Sequence, residues 1–162
     1  ETINAGGVFP VKSGNVPSLW SLTVNIDNVD DLDKPFGAAV RLRIDEKHFR
    51  AVLESKDRAA REQAFDLLMI EALTSLVLAV ASKEELVDHF DGRSRNNSHE
   101  EVDPRTAEAF LDSVLVHVST SLGVLAEEFK TDPLGVSERV REEMKWAIGL
   151  VSSDDQGEVD GR

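Results

Sequence analysis

The chain changes its period once. Between residues 19 and 27, "LWSLTVNID", apolar and polar positions alternate: Trp20, Leu22, Val24 and Ile26 fall on one side, Ser21, Thr23 and Asn25 on the other. A two-residue repeat sends successive side chains to opposite faces, so this stretch predicts a half-buried strand. Residues 38 to 45, "AAVRLRID", repeat the pattern, with Val40, Leu42 and Ile44 set against Arg41 and Arg43. The intervening "NVDDLDKPFG" is rich in turn formers and predicts an antiparallel pair joined by an acidic loop. A third extended piece, "GGVFPVK", fits an edge strand, where the N–H that Pro10 lacks is not needed.

From residue 46 the period is helical. "EKHFRAVLES" reads as a short helix packing Phe49, Val52 and Leu53, after which Asp57 is placed to cap a long helix. That helix carries "AFDLLMIEALTSLVLAVA", residues 64 to 81, the most apolar run in the chain. At about 100° per residue, Asp66, Glu71, Thr74, Ser75 and Ser82 fall on one side of the helix as its polar stripe. Phe65, Leu68, Met69, Leu73, Leu76, Val77 and Val80 take the remaining face, so the helix must be covered nearly all round, by its own fold or by a second copy. A spanning helix needs about 20 predominantly apolar residues, and an Asp at its centre costs about 2.5 to 3.5 kcal/mol. With Asp66 and Glu71 inside the run and "RAAREQ" and "SKEE" at its ends, no membrane crossing is expected.

Ser82 followed by Glu85 has the spacing of a capping box, which predicts a bend and a new helix there. "DGRSRNNSHEEV" is polar, aperiodic and reads as a loop. Asp103 and Pro104 predict the start of a further helix, with Ala107, Phe110, Leu111, Val114, Val118, Leu122, Leu125 and Phe129 on its core-facing stripe. "KTDPLG" ends it. Ser137 then opens a last amphipathic helix with Val140, Met144, Ala147, Ile148 and Val151 on one stripe. No repeat or linker interrupts the pattern. The expectation is one α+β domain over residues 1 to 151, a small N-terminal antiparallel sheet of two to three strands followed by a helical layer or bundle of four to five helices, and an acidic tail over residues 152 to 162.

Composition narrows the chemistry. The 162 residues include no cysteine, which removes disulfides, thiolate nucleophiles and sulfur-ligated metals, and fits a reducing, cytoplasmic setting. A net charge of −13 repels phosphate backbones, so nucleic acid is not an expected partner. The opening "ETINAGGVFPVKSGNVPS" has neither the basic start nor an apolar stretch long enough for a signal peptide.

Two constellations carry candidate chemistry. His89, Asp91, His99 and Glu100, with Asp103 beside them, crowd the segment 88 to 103, and imidazole with carboxylate is a ligand set for zinc, manganese or iron. The spacing departs from H-E-x-x-H and from the EF-hand loop, so a solvated loop is the plainer reading. Arg41 and Arg43 share the polar face of a strand, where two guanidinium forks match a phosphate or an acidic peptide; Asp30, Asp31 and Asp33 are near enough in sequence to neutralise them. His117, at the margin of an apolar face, reads as structural. Nucleophile elbows and phosphate-cradling glycine loops are absent, and no cofactor is expected. The "NNS" at Asn96 to Ser98 matches the three-letter glycosylation pattern, which matters only in a secreted eukaryotic chain.

The resulting expectation is a non-enzymatic, acidic protein-interaction module of the adaptor, chaperone-like or inhibitor type, binding a protein partner and forming a homo-oligomer through apolar helical surface. The alternative is a metal-dependent hydrolase built on the His/Asp/Glu cluster.

Overall fold

A computed structural model describes residues 2–4, 20–45, 50, 54–96 and 102–154. Its architecture is α+β. Three strands, β1 (Thr2–Asn4), β2 (Trp20–Val24) and β3 (Val40–Ile44), form an antiparallel sheet in the order β1-β2-β3. Six α-helices lie among the described residues: the single turn α1 (Phe36–Ala39), then α2 (Arg58–Ala81), α3 (Glu84–Asn96), α4 (Ala107–Leu115), α5 (Leu122–Thr131) and α6 (Pro133–Asp154).

The alternation in β2 resolves as expected. Trp20, Leu22, Val24 and Ile26 are buried, and Ser21 and Thr23 lie on the opposite face. Strand β3 follows with Val40 buried and Leu42 half-buried, but Ile44 stands open at the sheet's end. Their connection is more ordered than a plain loop. Asn28 caps a 3-10 turn, Val29–Asp33, by a reciprocal capping box with Asp31, and α1 follows it. The third strand is Thr2–Asn4; "GGVFPVK" and most of "EKHFRAVLES" lie outside the described residues.

Helix α2 is the spine of the core. Asp57 caps it, its carboxylate accepting the Ala60 N–H at 3.2 Å. Leu68, Ile70, Ala72, Leu76, Val77, Val80 and Ala81 are buried against β2, α4 and the other helices, so the C-terminal half is enclosed on nearly every side. Thr74 does not belong to a solvated stripe: it is buried, and its hydroxyl donates to the Ile70 carbonyl at 2.7 Å, which removes the cost of hiding it. Phe65 and Met69, expected inside, are exposed. Among the described residues α2 is the one helix long and apolar enough to cross a bilayer, and the protein's own core consumes much of that apolar surface.

Five helix boundaries differ in place or in capping from the periodic reading. The break at Ser82 is present, without its capping box: the Ser82 hydroxyl donates to Ala79 O, and the Glu85 carboxylate accepts the Val29 N–H. Helix α3 runs on to Asn96 through part of the expected loop. Asp103 forms a turn instead of a cap, accepting the Arg105 N–H at 3.0 Å, and Thr106 caps α4 three residues later. The long stripe from Ala107 to Phe129 is two helices: α4 stops at Leu115 and Ser121 caps α5. The last helix begins at Pro133, not at Ser137, whose buried hydroxyl donates to Pro133 O. Val136, Val140, Met144 and Ala147 are its buried stripe.

A backbone clasp joins the two halves of the chain. Phe36 N–H donates to Arg105 O at 3.0 Å and Ala107 N–H to Lys34 O at 2.9 Å, with Pro35 and Thr106 bridged between them. The Phe36 and Phe110 rings meet beside it, centroids 3.9 Å apart.

Candidate functional site

The densest polar constellation lies between α3 and α4. His89 and Arg93, four residues apart, share one face of α3; Glu108 and Asp112, also four apart, face them from α4. His89 Nε2 lies 2.7 Å from Glu108 Oε1, the same oxygen accepts from Arg93 Nη1, and Arg93 Nη1 also reaches Asp112 Oδ2 at 3.3 Å. Burial pushes the Asp112 carboxyl above its ordinary range; Glu108 adds to the rise, while Arg93 and His89 oppose it. The His89 ring meets Phe90 edge-on at 5.2 Å. Among the described residues, the side-chain hydrogen bonds of these four run within the cluster. A carboxylate that orients an imidazole is half of an acid–base relay, but here the second carboxylate and the guanidinium close the circuit. The geometry makes a charge-compensated tie between two helices.

Asp91 points elsewhere. Its two carboxylate oxygens accept the N–H groups of Leu122 at 3.0 Å and Gly123 at 2.9 Å, and the Ser121 hydroxyl accepts that of Val124 at 3.3 Å. The first turn of α5 is thereby satisfied from a neighbouring helix and from its own cap. An added Cβ on Gly123 would stand 3.1 Å from Asp91 Oδ2.

The expected metal set is therefore distributed. His89 is engaged with Glu108, Asp91 caps α5, Asp103 holds a turn, and His99 and Glu100 lie outside the described residues. Among the described residues no three His, Cys, Asp or Glu side chains form a metal-binding group.

Arg41 and Arg43 are where the alternation puts them, exposed on the outer face of β3 in register with Thr23 and Ser21. The acidic loop does not neutralise them. Asp31 is held instead by Lys34 at 2.6 Å and by the N–H groups of Asp27 and Asn28, which keep its carboxyl below its ordinary value. Arg41 Nε reaches Gly37 O at 3.5 Å, and no carboxylate among the described residues pairs with either arginine. Two arginines of the last helix are engaged: Arg141 grips Glu71 with two bonds, at 2.5 and 3.2 Å, and Arg139 pairs with Glu128.

The N-terminal half of α2 carries the last constellation. Arg58, Ala59, Glu62, Phe65, Asp66 and Met69 fall within one third of the helix circumference, and all six are exposed, Phe65 by 41% and Met69 by 40%. Trp146 on α6 is exposed by 75%, a feature that its position one residue off the buried Ala147 makes legible in the sequence.

No protein-family model matches the chain, and no curated protein and no solved structure matches it. Pattern reading missed Glu108 and Asp112 as partners of His89 and Arg93. The signal was present, as two complementary pairs at four-residue spacing.

Proposed function

We propose that this chain is a non-enzymatic, acidic, cytoplasmic protein-interaction module that self-associates through the exposed face of α2. The observation that supports it is that face itself: a helical stripe on which Phe65 and Met69 keep about two fifths of their surface exposed between a basic and two acidic residues. The stripe is self-complementary. When two copies cross antiparallel about Glu62, Arg58 of each stands against Asp66 of the other and Phe65 against Ala59, while the two Glu62 carboxylates meet on the axis, each compensated by Arg58 of its own copy. Within one copy Arg58 already reaches Glu62 at 2.6 Å, which holds it on the correct face.

Sedimentation equilibrium tests this with a charge swap. Arg58→Asp and Asp66→Arg are each expected to weaken the dimer by about tenfold, from two symmetric rim pairs worth roughly 0.5 to 1 kcal/mol apiece. The double reversal is expected to restore it. A wild-type chain that stays monomeric up to about 0.1 mM, or a double reversal no better than the single ones, overturns the reading.

A further inference from the structure

A second surface follows from the ladder of the sheet. Asn25 N–H donates to Ala39 O at 2.7 Å, so residues 25 and 39 form a hydrogen-bonded pair. In an antiparallel ladder such pairs recur at every second residue, which makes Thr23 with Arg41 and Ser21 with Arg43 the next two. The backbone groups of Arg41 and Arg43 are thereby turned toward β2. Those of Val40, Leu42 and Ile44 point outward, and the Val40 N–H is already taken by Phe36 O. Strand β3 is the last in the order β1-β2-β3, and among the described residues no strand pairs with its outer side. Leu42 N–H and C=O are the centre of that open edge.

Side chains give the edge a preference. A strand added beside β3 places its residues opposite Arg41 and Arg43 on the outer face, and the residue between them on the face of Leu42 and the exposed Ile44. The complement of that pattern is acidic, apolar, acidic. Natural edges are blunted by charge to prevent indiscriminate pairing, and two arginines at alternate positions repel most strands while attracting one of opposite charge. In a protein of net charge −13, Arg58, Arg93, Arg139 and Arg141 are in ion pairs, whereas these two guanidinium groups, side by side on one strand face, have no carboxylate among the described residues.

We infer that the outer edge of β3 is a docking strand for an extended protein segment of alternating acidic and apolar residues, which pairs with the backbone of Leu42 and presents two carboxylates to Arg41 and Arg43. Main-chain bonds supply the affinity, and the arginine pair supplies the selection.

Fluorescence anisotropy of the full chain tests this, with a labelled peptide carrying Glu-Val-Glu-Val-Glu and a matched one carrying Lys-Val-Lys-Val-Lys. The wild type is expected to bind the glutamate peptide, more weakly as salt rises, and to ignore the lysine peptide. Arg41→Glu with Arg43→Glu is expected to lose at least about tenfold for the first and to gain the second, an exchange of partners that an unfolded variant cannot show. Leu42→Pro, which removes the outward N–H at a position where an edge strand tolerates proline, is expected to lose the glutamate peptide. Asp66→Arg is expected to leave peptide affinity unchanged, which separates this edge from the α2 face. Failure of the wild type to bind the glutamate peptide at low salt, undiminished binding in the double reversal, or displacement by inorganic phosphate at the same concentration as by unlabelled peptide would each overturn the inference.

Discussion

Replacing Asp91 by alanine removes the carboxylate that closes the first turn of α5 from outside that helix. Two N–H groups lose their acceptor, those of Leu122 and Gly123, held at 3.0 and 2.9 Å. A hydrogen bond to a charged acceptor contributes about 1.5 to 3 kcal/mol, and a negative charge at a helix N-terminus adds about 0.5 to 1 kcal/mol. The Gly123 side is half-open, so water recovers part of the loss there; the Leu122 side chain is buried. Ser121 still caps Val124. The net expectation is a destabilisation of about 2 to 3 kcal/mol. In urea, with a slope of about 2 kcal/mol per molar, the unfolding midpoint moves down by roughly 1 to 1.5 M with the slope unchanged. Asp91→Asn keeps one acceptor oxygen and is expected to fall midway. Asp88→Ala, an exposed acid one turn earlier on α3, serves as the control and is expected to stay within about 0.5 kcal/mol of wild type. A midpoint for Asp91→Ala within about 0.3 M of wild type would refute the reasoning, because the carboxylate would then be a spectator to the helix it touches.

The same contact makes Gly123→Ala a sign test. In the wild type the added methyl crowds Asp91 and is expected to cost about 1 kcal/mol; in the Asp91→Ala background the crowding is gone, and the higher helix propensity of alanine is expected to stabilise by a few tenths to about 1 kcal/mol, both read from urea midpoints. Two carboxylates are expected to bend the pH profile of stability in opposite directions. The Lys34 ammonium and the Asp27 and Asn28 N–H groups hold Asp31 below its ordinary value of 3.8, so its contribution is present above that pH and is lost as pH falls further; the stability gap between wild type and Asp31→Asn is expected to close on acidification. Burial raises Asp112, so its neutral form favours the fold at low pH and that contribution is lost as pH rises through the raised value. Asp112→Asn is expected to gain on wild type over that rise, as measured by thermal melts across the carboxylate range.

The sheet was the most legible part of the chain, because a half-buried strand writes its face into every second residue. Trp20, Leu22, Val24 and Ile26 could hardly be arranged otherwise, and the pairing of Arg41 and Arg43 with Thr23 and Ser21 followed from it. The Asp57 cap was legible for the same reason, since its partner lies three residues away. Helix ends decided by distant partners were not. Helix α3 continues to Asn96 while Asp91 and Arg93 find α5 and α4, residues met only later in the sequence. The apolar stripe from Ala107 to Phe129 hid a break, because a turn of the right length between Leu115 and Leu122 restores the helical phase. Asp-Pro was ambiguous in both places it occurs. Asp132 accepts the Gly135 N–H and starts α6 at Pro133, whereas Asp103 folds back on Arg105 and leaves the cap to Thr106. The His89 cluster was visible as a concentration of ligand-type residues, but the identity of each partner depends on how α3 meets α4.

The clasp between Lys34–Phe36 and Arg105–Ala107 ties an early segment of the chain to a late one. A ribosome delivers β2, the 3-10 turn and β3 early, yet the Lys34 carbonyl and the Phe36 N–H lack their clasp partners until Ala107 has been synthesised. The nascent N-terminal layer therefore waits, unlocked, while the spine helix emerges. A pause in translation before residue 107 is expected to hold that layer without its clasp.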